Sequence, residues 1–134
     1  MTAYTGKDLA ISWIYTGGTI ALEADYRALD YTPTVEMFDQ SAGSDAAKTY
    51  VAGQVDGTIN ISALMQSGGT VLKTALKEGN GGTIIFGPEG TASGKEKVTI
   101  PAISQGAKTN IQYNSLTELT CSFQQNGLRT DGVY

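Results

Sequence analysis

The chain has 134 residues, a length that suits one compact domain able to bury a core without metal or disulfide help. Charged residues make up only 16%, below the roughly 25% of ordinary soluble domains, so much of the surface is neutral and suited to burial against partners. The net charge is −4 and the 9 basic residues are scattered, which excludes a phosphate-neutralising basic cluster and argues against specific nucleic-acid binding.

The start, Met1-Thr-Ala-Tyr-Thr-Gly-Lys-Asp8, has no apolar h-region, and no apolar run approaches the ~20 residues of a membrane span. Folding in a cytoplasm, without membrane insertion, is the expectation. Seventeen glycines and abundant threonine favour strands and turns over helices.

In Leu9–Tyr15 the large residues Leu9, Ile11, Trp13 and Tyr15 fall on odd positions. Thr16-Gly17-Gly18-Thr19 reads as a tight turn, and Ile20–Asp25 alternates again, so the two segments predict a hairpin. Leu29–Phe38 reads as a third strand. Asp30, Thr32, Thr34 and Glu36 form its polar face; Leu29, Tyr31, Val35 and Met37 form its apolar face. Pro33 cannot donate to a ladder, so this strand is expected at an edge or irregular there.

Asp39–Lys48 is small, polar and aperiodic, a loop longer than a hairpin turn. Such a segment is expected to be mobile in a free subunit and ordered by a neighbour. Its candidate contact residues are Asp39, Gln40, Ser41, Ser44, Asp45 and Lys48. Tyr50–Met65 follows as a long strand, with a bulge expected at Gly53 or Asp56-Gly57. Thr58, Asn60 and Ser62 share its polar face, and Ile59, Ile61, Ala63 and Met65 its apolar face.

Val71, Leu72, Ala75 and Leu76 lie on one face at helical spacing, with Ser67 or Thr70 placed to cap the start and Gly79 the end. Gly82–Gly87, Val98–Ile103 and Leu116–Phe123 read as further strands, and Asn126-Gly127 turns into a polar tail. No repeat and no linker interrupts residues 1–134. The expected fold is all-β: two packed antiparallel sheets, sandwich or barrel-like, with one flanking helix.

Chemistry finds little foothold. Histidine is absent, which removes the commonest general base, metal ligand and triad member. Cys121, the only cysteine, alternates with Leu119 and Phe123 and reads as a small buried hydrophobe rather than a nucleophile. Gly90-Thr-Ala-Ser-Gly94-Lys95-Glu96 approaches a phosphate-binding loop but has three residues between its glycines and Glu where Ser or Thr should hold magnesium. Asp30 and Glu36 are six residues apart, roughly 20 Å along a strand and too far for a glycosidase pair. Asp39 and Asp45 lack the ligand spacing of a calcium loop. No enzyme activity, cofactor or metal is expected.

The order hairpin, strand, polar loop, long strand, helix, strand pair resembles the major tail tube proteins of long-tailed, siphovirus-type bacteriophages. The resemblance runs from Leu9 to Phe123. It rests on Asp45-Ala-Ala-Lys-Thr-Tyr-Val-Ala-Gly53, on Asp56-Gly-Thr-Ile-Asn-Ile-Ser62, and on the helix closing at Lys77-Glu78-Gly79. Contractile-tail and secretion-system tubes share this architecture.

The resemblance implies a virion protein made in the host cytoplasm. Six copies would close into a ring, and rings would stack into the tail tube that delivers DNA. Partners would be further copies, the tape measure, the tail terminator and the distal tail protein, with DNA passing non-specifically. In such a tube the lumen-facing candidates are Asp30, Thr32, Thr34, Glu36, Thr58, Asn60 and Ser62. A capsid-decoration or carbohydrate-binding β-domain has the same size and strand count and stays open at this point.

Overall fold

The computed structural model describes residues 5–22, 26–44, 46–64 and 70–134. A 3-10 turn at Gly6–Asp8 leads into β1 (Ala10–Tyr15) and β2 (Gly18–Ala21), then β3 (Tyr26–Asp39) and β4 (Tyr50–Leu64). Helix α1 (Thr70–Ala75) is followed by β5 (Gly81–Gly87), β6 (Glu96–Asn110), β7 (Glu118–Gln125) and β8 (Thr130–Val133).

All eight strands belong to one antiparallel sheet, in the order β2-β1-β5-β6-β7-β4-β3, with β8 on β6. The two expected layers are thus two halves of one continuous ladder. β3 and β5 are four places apart, about 19 Å across a flat sheet at strand spacing. Yet the Tyr31 and Phe86 rings meet edge-on at 6.3 Å, and Trp13 of β1 reaches Phe123 of β7 at 4.8 Å. The sheet therefore curls until its halves face each other, as native twist favours.

Period-2 alternation fills the concave side. Ile11 and Trp13, Ile59 and Ile61, Ile84 and Phe86, Val98 and Ile100, and Leu119, Cys121 and Phe123 form one buried cluster. Cys121 is the small core residue its alternation predicts: burial pushes its thiol up to about 11, with the Ser104 hydroxyl pulling weakly the other way.

Helix α1 sends Ala75, and the turn after it Leu76, into the same cluster, with Leu72 partly buried against it. Its last carbonyls do not go unsatisfied. Trp13 Nε1 donates to Ala75 O (2.9 Å) and Ser104 Oγ to Leu76 O (2.8 Å), both buried. Gly79 ends the segment at φ +87°, the left-handed conformation its position predicts, and its N–H donates to Ser104 O. The Ser67 cap and Met65 lie outside the described residues, as does the Val71 side chain.

Two differences from the sequence reading have local causes. β6 runs on past Ile103 to Asn110, because a register shift between Ser104 and Ala107 breaks the alternation while β7 keeps the ladder going. The polar tail is in part β8, whose Thr130–Val133 pair with Glu96–Thr99. Pro33 does sit on an edge strand, β3, and it pairs with Gly57 without a break. The shift falls later, between Val35 and Met37 opposite Gly53, at the first of the two expected bulge positions.

Candidate functional site

The outer face of β3, β4, β7 and β6 is a continuous field of small polar groups. Register places Thr32, Thr58 and Gln124 in one row and Asp30, Asn60 and Ser122 in the next. Ala28, Ser62, Thr120 and Lys108 follow. Side chains tie β7 to β4: Ser122 Oγ donates to Asn60 Oδ1 within one row (2.7 Å), and Gln124 Nε2 donates to Asp56 Oδ1 and to Gly57 O.

Asp30, Thr32 and Thr34 of β3 are thus brought beside Thr58, Asn60 and Ser62 of β4, with Thr34 opposite Asp56. Glu36 is not; it falls within the register shift and belongs to the segment beyond. Thr120, Ser122 and Gln124 complete the face and were missed as candidates, although the alternation that sends Leu119, Cys121 and Phe123 inward sends these three outward. Among the described residues Lys108 is its one basic group away from an ion pair, and they form no cation cluster there able to hold phosphates.

The second feature is an arm. The β3–β4 ribbon runs past β7, whose pairing with β4 reaches no further than Thr58, so from Thr34 to Val55 it has no third strand beside it among the described residues. Val35, Met37, Phe38, Tyr50, Val51 and Val55 are all exposed. Pairing puts Phe38 opposite Val51 and Met37 opposite Ala52. Adjacent pairs point to opposite sides of a strand pair, so the arm is apolar on both faces. At its root Tyr31 Oη donates to Gln125 Oε1 (2.8 Å), and Gln125 Nε2 donates to Gly127 O (2.8 Å), closing that end of the core. A Cβ at Gly57 would collide with Gln125 Oε1 and crowd Tyr31, so a larger residue there would have to displace the hydrogen bond between them.

The loop expected at Asp39–Lys48 is the arm's tip. Asp39 is still in β3; its Oδ1 accepts the Ser41 N–H at 2.8 Å, which holds its carboxyl below the usual range. Gln40 N–H donates to Thr49 O (2.9 Å), and Thr49 N–H donates to Ser41 Oγ (2.6 Å). Gln40 and Ser41 therefore staple the base. Ser44 and Lys48 are exposed beyond it, and Asp45 lies outside the described residues.

The third feature is the sheet's two edges, β2 and the fourteen-residue β3, each with one side free of a strand partner among the described residues. Trp13, the only tryptophan, is fully buried and so unavailable as an exposed ring for stacking a sugar.

No protein-family model and no curated protein sequence matches this chain. Solved structures do. A subunit from the tail of an empty gene transfer agent particle, of C6 symmetry, superposes with a TM-score of 0.78 at 16% identity, over 98% of this chain and 100% of that one. The SPP1 tail tube subunit gives 0.71 at 11% identity, over 98% of this chain and 81% of the other. A chain of the sheath–tube complex of the PVC extracellular contractile injection system, in its extended state, gives 0.71 at 10%, over 98% and 93%. From end to end this chain has the fold of tail tube subunits.

Proposed function

We propose that the chain is a structural, non-enzymatic subunit of a phage-type tail tube. Its copies close into rings, six to a ring, and the rings stack into a conduit for DNA. The observation that carries this reading is the whole-chain likeness to tube subunits from several tail and injection systems, at low identity, with no part of either gene transfer agent chain left over.

The geometry supports it in three ways. The edge strands β2 and β3, each without an outer strand partner among the described residues, are unstable as free surface; edge-to-edge pairing between copies covers them and closes a ring when the rotation allows. An arm apolar on both faces needs a partner on each side. The small polar field carrying Asp30, Thr32, Thr34, Thr58, Asn60 and Ser62 makes a lumen wall on which DNA slides without counterion-releasing contacts. The same reading places the mature protein in the virion tail, beside tape measure, terminator and distal tail proteins.

Electron microscopy of the concentrated protein tests the reading. Hollow tubes or stacked rings are expected; discrete globules at all concentrations would overturn it. For the lumen assignment the variant is Asp30→Lys. Tubes should still form, and DNA transit should slow, most at low salt where screening is weakest. Unchanged transit would place the polar face outside.

A further inference from the structure

Large apolar side chains are exposed in two clusters among the described residues. One is the arm. The other is the β6–β7 turn, where Ile111 and Leu116 are about three-quarters exposed and Tyr113 is fully so (74%, 73% and 101%). Each cluster exceeds the scattered apolar exposure normal for a monomer.

Their placement is directional. Leu64 pairs with Glu118, and Asn110 pairs with Glu118 from the other side, so the turn lies level with the body end of β4. Val51 lies thirteen residues back along β4, roughly 40 Å away at strand rise. The clusters thus sit at opposite ends of the long ribbon. A copy translated along the strand direction brings its turn to the arm of the copy behind it, whereas a sideways neighbour meets β2 or β3 instead.

A receptacle exists at the arm's root. A groove of about 320 Å³ runs between the arm and the 128–131 segment, lined by Tyr31, Pro33, Val35, Val55 and the exposed Leu128. Arg129 covers one side of Tyr31, at 5.6 Å from the ring centre.

Charge runs the same way. The arm and its root carry Glu36, Asp39 and Asp56 against Lys48, beside Arg129 and Asp131, which pair with each other, and none of those first three acids has a basic partner among the described residues. Beside the turn, Lys108 has no acidic partner among them, and Arg27 pairs with Glu118.

We propose that the occupant of the arm's apolar surface is the β6–β7 turn of a second copy, stacked head to tail. Ile111, Tyr113 and Leu116 dock against Phe38, Val51 and the groove at Val35, Val55 and Leu128. This is a heterologous contact: it uses different surfaces on the two copies and therefore propagates. The proposal rests on the tube reading and adds the receiving surface that stacking requires.

Cysteine pairs test it: Phe38→Cys with Tyr113→Cys, and Val51→Cys with Leu116→Cys, each in one chain. Cys121 is buried and held protonated, so it does not interfere. Mild oxidation of assembled protein should give a ladder of covalent dimers, trimers and higher multimers, with none from the single variants. Tubes that form without any ladder overturn this contact and leave the tube reading intact; wild-type protein that never forms tubes overturns both. Tyr113→Asp supplies the second readout. The position is fully exposed, so the melting temperature should hold while the concentration for half-maximal assembly rises at least tenfold. Unchanged assembly in that variant removes the turn from the interface.

Discussion

The β3–β4 ribbon is two regions joined without a break in pairing direction. In the body half, Ile59 and Ile61 are buried at 0% and 4% exposure, in one cluster with Trp13, Phe123 and Ala75 of the helix. In the arm half, Val51 and Val55 have similar side chains on the same strand and are 49% and 48% exposed. Alternation made both halves strands. Only the body half has a second layer to cover it, because the sheet curls back over residues 57–64 and not over 50–56. Similar side chains in one strand thus serve stability in one region and association in the other.

The largest effect should come from the body. Trp13→Ala removes the ring that packs on Phe123 and the donor to Ala75 O, and should destabilise the isolated subunit by about 3–5 kcal/mol in denaturant unfolding. Phe38→Ala, in the arm, should change subunit stability by less than about 0.5 kcal/mol while weakening assembly. Comparable losses of subunit stability in both variants would break the distinction between the regions.

The junction comes next. Gly57→Ala forces Tyr31 and Gln125 apart where body becomes arm, at a cost of about 1–3 kcal/mol. The hydrogen bond between those two side chains should loosen with it, visible as faster amide exchange at residues 125–127.

A smaller effect follows from Cys121, whose folded pKa is raised. Its contribution is complete below the unfolded thiol value and is lost as pH rises through the folded one, because the unfolded state releases its proton first. Subunit stability should fall by roughly 2 kcal/mol between about pH 9 and 11, and the slope should vanish in Cys121→Ala.

Asp39 should have the smallest effect, confined to the arm tip. Its folded pKa is lowered, so its contribution is present above the ordinary carboxylate range and is lost as pH falls through the folded value. Protection of the Ser41 amide, measured against the intrinsic exchange rate at each pH, should fall as pH drops through the folded value and should be low at all pH values in Asp39→Asn, with global stability unchanged. A global loss there would mean the tip supports the body.

Much of the fold was legible because alternation is a strong signal where one face is buried. Trp13, Ile59 and Cys121 were assigned to the core from period alone, and Gly79 to a left-handed helix end from its place after Leu76 and Lys77. β8 was not legible, since Thr130-Asp131-Gly132-Val133 is exposed throughout and is a strand only because β6 offers it an edge. The rest of β6 was hidden because the Ser104–Ala107 register shift changes the period within one strand.

The candidate polar face was half legible. The β3 and β4 rows followed from alternation, but their joining with Thr120, Ser122 and Gln124 depends on strand order, which period does not encode.

By itself the sequence determined that this is a β protein with one small helix, which residues face inward on most strands, and that histidine chemistry is absent. The tertiary structure alone decided that one sheet folds over itself, that the polar rows of β3, β4 and β7 form one face, and that Val35, Met37 and Val55 stay uncovered. The physical reason is range. Side-chain alternation is a property of neighbours in the chain, whereas strand order and curl depend on contacts between distant residues, such as Tyr31 with Phe86.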